Sequence, residues 1–245
     1  MSAVSPSAPS GKDPLRNTLW PAVAVLLGVL LLAEFTPLDL WVQDACFDFA
    51  TGQWRVDENA SLPKALFYTG PKAVLIAFGL ACIALLLGPA GWRRRFGLAH
   101  RRRELAAVIA CLGLGPYLTG VAKANTNMFC PYELTRYGGD MPYVKLFERF
   151  PEDARPERRG VCFPAGHASG GFALLALSGL AATRRGRLLG IAIGLAVGSW
   201  MGIYQMLKGA HYLSHTLITL VLMWLLFLAC RAALERAWRT APDSP

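Results

Sequence analysis

The sequence predicts an all-α protein, a six-helix transmembrane bundle with its N- and C-termini cytoplasmic, and three observations predict it. The 245 residues are 54% hydrophobic and only 17% Asp, Glu, Lys and Arg, too little charge for a water-facing surface. The apolar residues gather in six runs close to the ~20 residues that cross ~30 Å of hydrocarbon. The basic residues, which outnumber the acids 25 to 16 for a net charge of +9, cluster in alternate loops between those runs.

Residues 1–18 open Pro- and Ser-rich and are expected to form a disordered cytoplasmic tail. The first run, 19–36, ends in Ala33-Glu34-Phe35 instead of a small-x-small site, so it is read as a retained span and not a cleaved signal. The second covers 73–90 and the third 105–122. The fourth, 168–183, is short and Gly-rich. The fifth covers 188–207 and the sixth 213–230. Pro116, Gly190, Gly194 and Gly198 fall inside these runs, where lipid tolerates them and small residues let helices approach closely. One six-span domain over 19–235 is expected, followed by a cytoplasmic tail over 236–245.

Loop charge orients the spans, because short cytoplasmic loops carry the Lys/Arg excess. The 91–104 loop holds Arg93, Arg94, Arg95, Arg101, Arg102 and Arg103 against Glu104, and the next inner turn holds Arg184, Arg185 and Arg187. An even number of spans puts Lys12, Arg16, Arg231, Arg236 and Arg239 on the same side. Topology therefore accounts for the basic residues, and no nucleic-acid partner is expected. The outer face falls to 37–72, 123–166 and 205–214. The first of these is acidic and carries Trp41, Phe47, Phe49 and Trp54, which reads as an interfacial amphipathic segment.

Three of the four histidines border predicted outer membrane edges. His167 begins the fourth span in Pro164-Ala165-Gly166-His167. His211 and His215 lie in the fifth-to-sixth turn, and Lys123 closes the third span on the same side. Ionisable groups at that depth are costly and mark function. Lysine, histidine and a Gly-rich helix start suit phosphoryl chemistry: cations and helix-start amides hold phosphate oxygens, one imidazole attacks phosphorus and another protonates the leaving alkoxide. A competing chemistry is a metal site at His211 and His215 with His167 as third ligand. Against it stand the lack of a Glu beside the first histidine and the repulsion of a dication by lysine.

In these residues the sequence resembles the type 2 phosphatidic acid phosphatase superfamily, whose motifs are Lys-x6-Arg-Pro, Pro-Ser-Gly-His and Ser-Arg-x5-His-x3-Asp on one side of six helices. Lys123 with Pro131, Pro164-Ala165-Gly166-His167, and Gly209-Ala210-His211-Tyr212-Leu213-Ser214-His215 carry the resemblance. It implies metal-independent, cofactor-free hydrolysis. His211 would form a phosphohistidine, His167 would act as general acid, and Lys123, Lys208 and the Gly166 amide would bind phosphate.

Several positions depart from that pattern. Cys130 and Gln205 stand where the two phosphate-binding arginines would be, and Arg136 and Lys208 are expected to replace them, with Gln205 donating a neutral hydrogen bond. Ala165 replaces serine. His215 takes the place of the aspartate that orients the nucleophile, and it brings no negative charge. Asp140 or Glu133 is the expected compensating carboxylate. Cys130 and Cys162, each beside a phosphate motif in one outer segment, are expected to form a disulfide, while Cys82, Cys111 and Cys230 pack inside spans.

The expectation is a multi-pass protein of a bacterial inner membrane, its site facing the periplasm. It would act on a phosphate of lipid A, undecaprenyl diphosphate or phosphatidylglycerophosphate, with a lean to lipid A because segment 123–159 is basic and aromatic. Its partners would be the lipid phosphate and membrane lipids, with no obligate protein partner. The alternatives are a lipid phosphotransferase using the same intermediate and a non-catalytic protein of the same fold. No cofactor and no metal are expected.

Overall fold

Apolar runs become helices because a membrane offers no partner for a free peptide N–H or C=O. The computed structural model describes residues 15–150, 152 and 155–240, and these form eight helices, several 3-10 turns and one hairpin. Helix α1 (Leu19–Phe35) bends by 75° into α2 (Leu38–Cys46). Strands β1 (Phe47–Asp48) and β2 (Gln53–Trp54) pair antiparallel, with Phe47 opposite Trp54. Helix α3 (Ser61–Leu87) contains a π-helical turn at Ala65–Thr69. Helices α4 (Ala90–Arg95) and α5 (Arg102–Asn125) follow. Helix α6 covers 166–180 as Gly166–Phe172, Ala173–Ala176 and Leu177–Leu180, the middle piece a 3-10 turn. Helices α7 (Arg184–Leu207) and α8 (Leu213–Thr240) complete the bundle.

Among the described residues, α3, α5, α7 and α8 are long and apolar enough to cross a membrane, and the bent pair α1 and α2 makes a fifth if counted as one span. The expected fourth run forms only a 15-residue helix, about 22 Å at 1.5 Å per residue and short of the ~30 Å of a bilayer core. Its surroundings explain the length. Ala168, Phe172, Ala173, Leu175 and Ala176 are all at most 2% exposed. This helix is wrapped by protein, so lipid thickness does not set its length.

Helix α7 supplies most of the wrapping. An added Cβ at Gly194 would lie 2.6 Å from the Leu175 amide nitrogen, and one at Gly198 would lie 2.1 Å from Phe172 Cδ1. Only the absence of a side chain lets α7 lie directly on α6. On the other side α5 and α8 close over it, packing Leu105, Val108, Cys111, Ala173, Ala176 and Phe227 into one cluster. Large apolar side chains such as Leu27, Leu31, Ile76 and Leu80 stay more than half exposed, as lipid-facing groups would.

Three boundaries differ from the sequence reading. Helix α3 starts at Ser61, twelve residues before the expected second span, because Leu62, Leu66 and Phe67 extend its apolar surface and Pro63 suits a first turn. Residues 15–18 are ordered: Arg16–Thr18 form a 3-10 turn, Leu15 is buried, and Thr18 Oγ1 accepts the Trp224 indole N–H at 2.9 Å. Helix α8 continues to Thr240, beyond the expected boundary at 235. The remainder of both expected tails, 1–14 and 241–245, lies outside the described residues.

The ends of the bundle differ in charge. Arginines 93–95 end α4, arginines 101–103 and 184, 185 and 187 lie at the starts of α5 and α7, and Arg231, Arg236 and Arg239 lie near the end of α8. The opposite end gathers the C-termini of α5 and α7 and the N-termini of α6 and α8. It is capped by the hairpin and segment 127–163, whose Phe129, Leu134 and Tyr137 pack with Phe47 and Tyr212. The expected disulfide is present, Cys130 to Cys162 with a Cα separation of 5.1 Å.

Candidate active site

The turn between α7 and α8 carries His211, and backbone geometry shapes that turn first. Gly209 adopts φ +73°, and a Cβ there would lie 2.3 Å from the Trp54 ring, so both conformation and packing require glycine. The Ala210 amide donates to the Gln205 carbonyl oxygen at 2.8 Å, and Gly209 O accepts the Tyr132 amide at 2.9 Å.

Helix α2 then fixes the turn from above. Gln43 Nε2 donates to the His211 carbonyl oxygen at 2.8 Å. One turn away, Asp39 accepts the Ser214 amide at 2.8 Å and the Ser214 hydroxyl, which places a carboxylate at the start of α8. Both residues are buried. The sequence reading missed them, although Asp39 and Gln43 at i, i+4 share one face of a helix whose neighbours are mostly apolar.

His211 is 5% exposed, with its ring between two groups. Nε2 lies 3.4 Å from Lys123 Nζ at the end of α5, and Nδ1 lies 3.5 Å from Cys162 Sγ. Burial, then the cationic Lys123, push the His211 imidazole well below its ordinary range, with His215, His167 and Lys208 adding in the same sense. The ring is therefore neutral at neutral pH and keeps one nitrogen lone pair. A tautomer with its proton on Nδ1 leaves the Nε2 lone pair facing the lysine side.

Gly166 opens α6 beside this pair. A Cβ at Gly166 would lie 3.3 Å from Lys123 Cε, so glycine lets the helix start meet the lysine stem. Beside it, His167 Nε2 lies 3.1 Å from the Phe67 carbonyl oxygen, and its ring stacks on Tyr68 with centroids 4.3 Å apart. Phe67 O is available because Pro71, four residues on, has no N–H to give it. The π-helical turn at Ala65–Thr69 is the local consequence. With Nε2–H donated to Phe67, Nδ1 of His167 is the nitrogen left to exchange a proton. Phe67 and Tyr68 were also missed in the sequence, where Pro71 was the clue.

Lys208 is half-buried at the rim. Its Nζ lies 5.6 Å from the Tyr68 ring centroid and 5.7 Å from that of Tyr204, and burial lowers its pKa from the ordinary lysine value. The structure thus gathers Lys123, Gly166, His167 and His211, with Lys208 at the edge beyond Tyr68.

Three expected site residues are placed elsewhere. Arg136 makes a bidentate pair with Asp44, at 2.8 and 2.7 Å, and is exposed on the outer surface, so its donors are already committed there. Gln205 is buried, and among the described residues no hydrogen bond joins its side chain to His211 or Lys123; it shapes the turn through its carbonyl. His215 does not hold the His211 ring: the two centroids are 5.9 Å apart at 59°, with no hydrogen bond between them. The i, i+4 spacing fails to align them because α8 begins only at Leu213, leaving His211 in the turn. The expected compensating acids are absent too. Glu133 and Asp140 both pair with Arg158, and Glu133 also accepts the Cys130 amide at 2.7 Å.

The metal arrangement weighed from the sequence does not form either, since His167 turns to Phe67. The ligand atoms that do gather, within 4.8 Å of one another, belong to Cys162, His211 and His215, and the Cys162 sulfur is held in the disulfide.

Away from the polar cluster, a groove of about 650 Å³ runs between α3 and α5. It starts at Lys123, Gly166 and His167 and continues past Leu75, Gly79 and Leu112.

The PAP2 superfamily model matches residues 104–239, which include Lys123, Gly166, His167 and His211. A lipid A 4'-phosphatase from Francisella tularensis subsp. novicida (strain U112) is 28% identical over 141 residues, 57% of this chain. The alignment spans about three fifths (61%) of that relative's length. No solved structure matches the chain.

Proposed function

This chain belongs to the PAP2 superfamily, and from that premise we propose that it is a membrane lipid phosphatase working through a phosphohistidine on His211. The observation that carries the reading is the buried, neutral His211 with Nε2 3.4 Å from Lys123 Nζ beside the Gly166 helix start. Phosphoryl transfer asks for a positioned nucleophile and fixed positive potential around three oxygens. Lys123 and the α6 amides supply that potential, and Lys208 extends it toward the headgroup.

In the first step His211 Nε2 bonds to phosphorus as the P–O bond to the lipid breaks, and His167, entering as the imidazolium with Nε2–H on Phe67 O, gives its Nδ1 proton to the departing oxygen and is left neutral. In the second, His167 takes a proton from water while the water oxygen displaces His211 and releases inorganic phosphate. With phosphorus on Nε2 and hydrogen on Nδ1 the ring is cationic, and Nδ1 faces the Cys162 sulfur where the family has a carboxylate. The intermediate is therefore less stabilised than in relatives that keep the aspartate, and it is short-lived.

The substrate carries apolar chains that rest in the groove between α3 and α5 while the phosphate reaches the polar end. Similarity to a lipid A 4'-phosphatase, and a second depression lined by Lys145, Arg149 and Arg155 against Glu148 and Glu152, favour a large anionic headgroup such as lipid A over undecaprenyl diphosphate or phosphatidylglycerophosphate. We place the site on the periplasmic face of a bacterial inner membrane with the arginine-rich end inside. Six crossings follow if α1 and the protein-wrapped α6 are counted with the four long helices.

Phosphate release from a panel of these lipids by wild type and by His211→Ala tests the reading. Release confined to wild type supports it, and equal release by both proteins refutes it. Labelled phosphate appearing on a second lipid in place of water would make the enzyme a transferase.

A further inference from the structure

The side of His211 turned away from Lys123 is built of groups the phosphatase reaction does not use. Cys162 Sγ lies 3.5 Å from Nδ1 and 3.1 Å from the Ala210 carbonyl oxygen, and Cys162 is fully buried. His215 closes the cluster at 1% exposure. Apart from an interaction with the Cys162 backbone, neither of its ring nitrogens finds a hydrogen-bond partner among the described residues. Such an imidazole is costly to bury and is prepared to ligate.

The distances match one coordination chemistry. Zinc takes thiolate sulfur at about 2.3 Å and imidazole nitrogen at about 2.0–2.1 Å in a tetrahedron, which sets a sulfur-to-nitrogen edge of about 3.6 Å. The observed edge from Cys162 Sγ to His211 Nδ1 is 3.5 Å, and the ligand atoms of all three residues fall within 4.8 Å of one another. The sulfur is unavailable only because it is bonded to Cys130.

We propose that the Cys130–Cys162 disulfide masks a metal site, made of Cys162 Sγ, His211 Nδ1 and one ring nitrogen of His215, which opens on reduction and takes a borderline divalent cation such as zinc or cobalt. Cys130 is the less buried partner and the end a small-molecule thiol reaches. Its attack on the Cys130 sulfur breaks the S–S bond and expels Cys162 as the thiolate. A second thiol equivalent resolves the mixed disulfide, leaving two protein thiols and the oxidised reagent. The Cys162 thiolate and the two imidazoles then replace three waters on the metal, and a fourth water remains.

Metal at Nδ1 has a defined effect on His211. A neutral imidazole keeps one pyridine-type lone pair, so ligation through Nδ1 moves the ring proton to Nε2. The nitrogen that would attack phosphorus is then capped by hydrogen. The bridge thus keeps the nucleophile out of reach of metal as well as tying the first motif to the second. The effect on turnover rests on the phosphatase reading, whereas the site itself does not.

The test uses full-length protein in detergent with Co²⁺ as probe, read by thiolate-to-cobalt charge-transfer absorption. Oxidised wild type should show no such band. Thiol-reduced and desalted wild type and untreated Cys130→Ser should both show it, at one cobalt per chain and displaceable by Zn²⁺. It should vanish in Cys130→Ser/Cys162→Ser and weaken in Cys130→Ser/His215→Ala. Absence of the band from both bridge-opened forms would overturn the proposal, as would its persistence without Cys162. Loss of helical circular dichroism on opening the bridge would overturn it equally, because the ligands would no longer be gathered. A phosphatase assay on the same samples separates the two readings: cobalt binding without any turnover in oxidised protein defeats the enzyme assignment and leaves the metal site standing.

Discussion

Where α6 lies on α7, contact is set by atoms that are missing: a Cβ at Gly198 would meet Phe172 at 2.1 Å, and one at Gly194 would meet Leu175 at 2.6 Å. Around the turn that carries His211, Gly209 aside, contact is set by directional bonds, from the Gln43 amide to the His211 carbonyl and from the Ser214 amide and hydroxyl to the Asp39 carboxylate. The first region resists any added volume but has little polarity to misplace. The second tolerates few changes of donor or acceptor. Each kind of damage should therefore show differently: steric changes along α7 act on stability, and polar changes around His211 act on rate.

The largest effect should come from Lys123→Ala, which removes the cation beside His211 Nε2. Loss of one preformed donor to a developing oxyanion costs about 10²–10³ in kcat, and thermal unfolding should hardly move. A loss of only a few-fold would break the division at its polar side. Gly198→Ala should do the converse, costing about 1–3 kcal/mol through overpacking. It would lower the unfolding midpoint in detergent while folded molecules keep their KM, and an unchanged midpoint would show that α6 and α7 are not in direct contact.

Asp39→Ala removes a helix cap that also holds the turn carrying His211. Loss of the cap costs about 0.5–2 kcal/mol, and kcat should fall more than KM rises; a purely structural cap would change stability alone. Acid should act through His211. Its imidazole is held below the ordinary value of about 6.5 in the folded chain, so the unfolded chain binds the extra proton. That stability is fully present above the unfolded value and declines as pH falls below it, by at most about 1.4 kcal/mol per pH unit. His211→Asn should flatten the acid limb of a denaturation series, and an unchanged limb would contradict the assigned burial. Arg136→Ala should be the mildest. A half-exposed pair is worth about 0–1 kcal/mol, and activity should stay at the wild-type level; a substantial loss would return Arg136 to the site.

What was legible in the sequence followed from long-range hydropathy and from residues whose chemistry is expensive in a membrane. The apolar runs, the arginine loops, Lys123, Gly166, His167, His211 and the Cys130–Cys162 pair all carry such signals. The misreadings arose where spacing stood in for geometry. His215 looked like a partner at i, i+4, but α8 starts after His211. Arg136 supplied the right charge in the right segment, yet Asp44, distant in sequence, claims it. Asp39 and Gln43 fell in a segment read only as amphipathic, and Phe67 enters through a carbonyl, which no side-chain motif encodes. Hydropathy reads the short fourth run poorly because it measures affinity for lipid, and α6 is wrapped by protein.

Phosphorylation of His211 can be read by rapid quenching of the protein with a ³²P-labelled lipid phosphate. Acid-labile, alkali-stable label should appear on His211 before phosphate release is complete and be absent from His211→Ala. Full turnover of wild type with no label on His211 at any quench time, or with label on another residue, would contradict it.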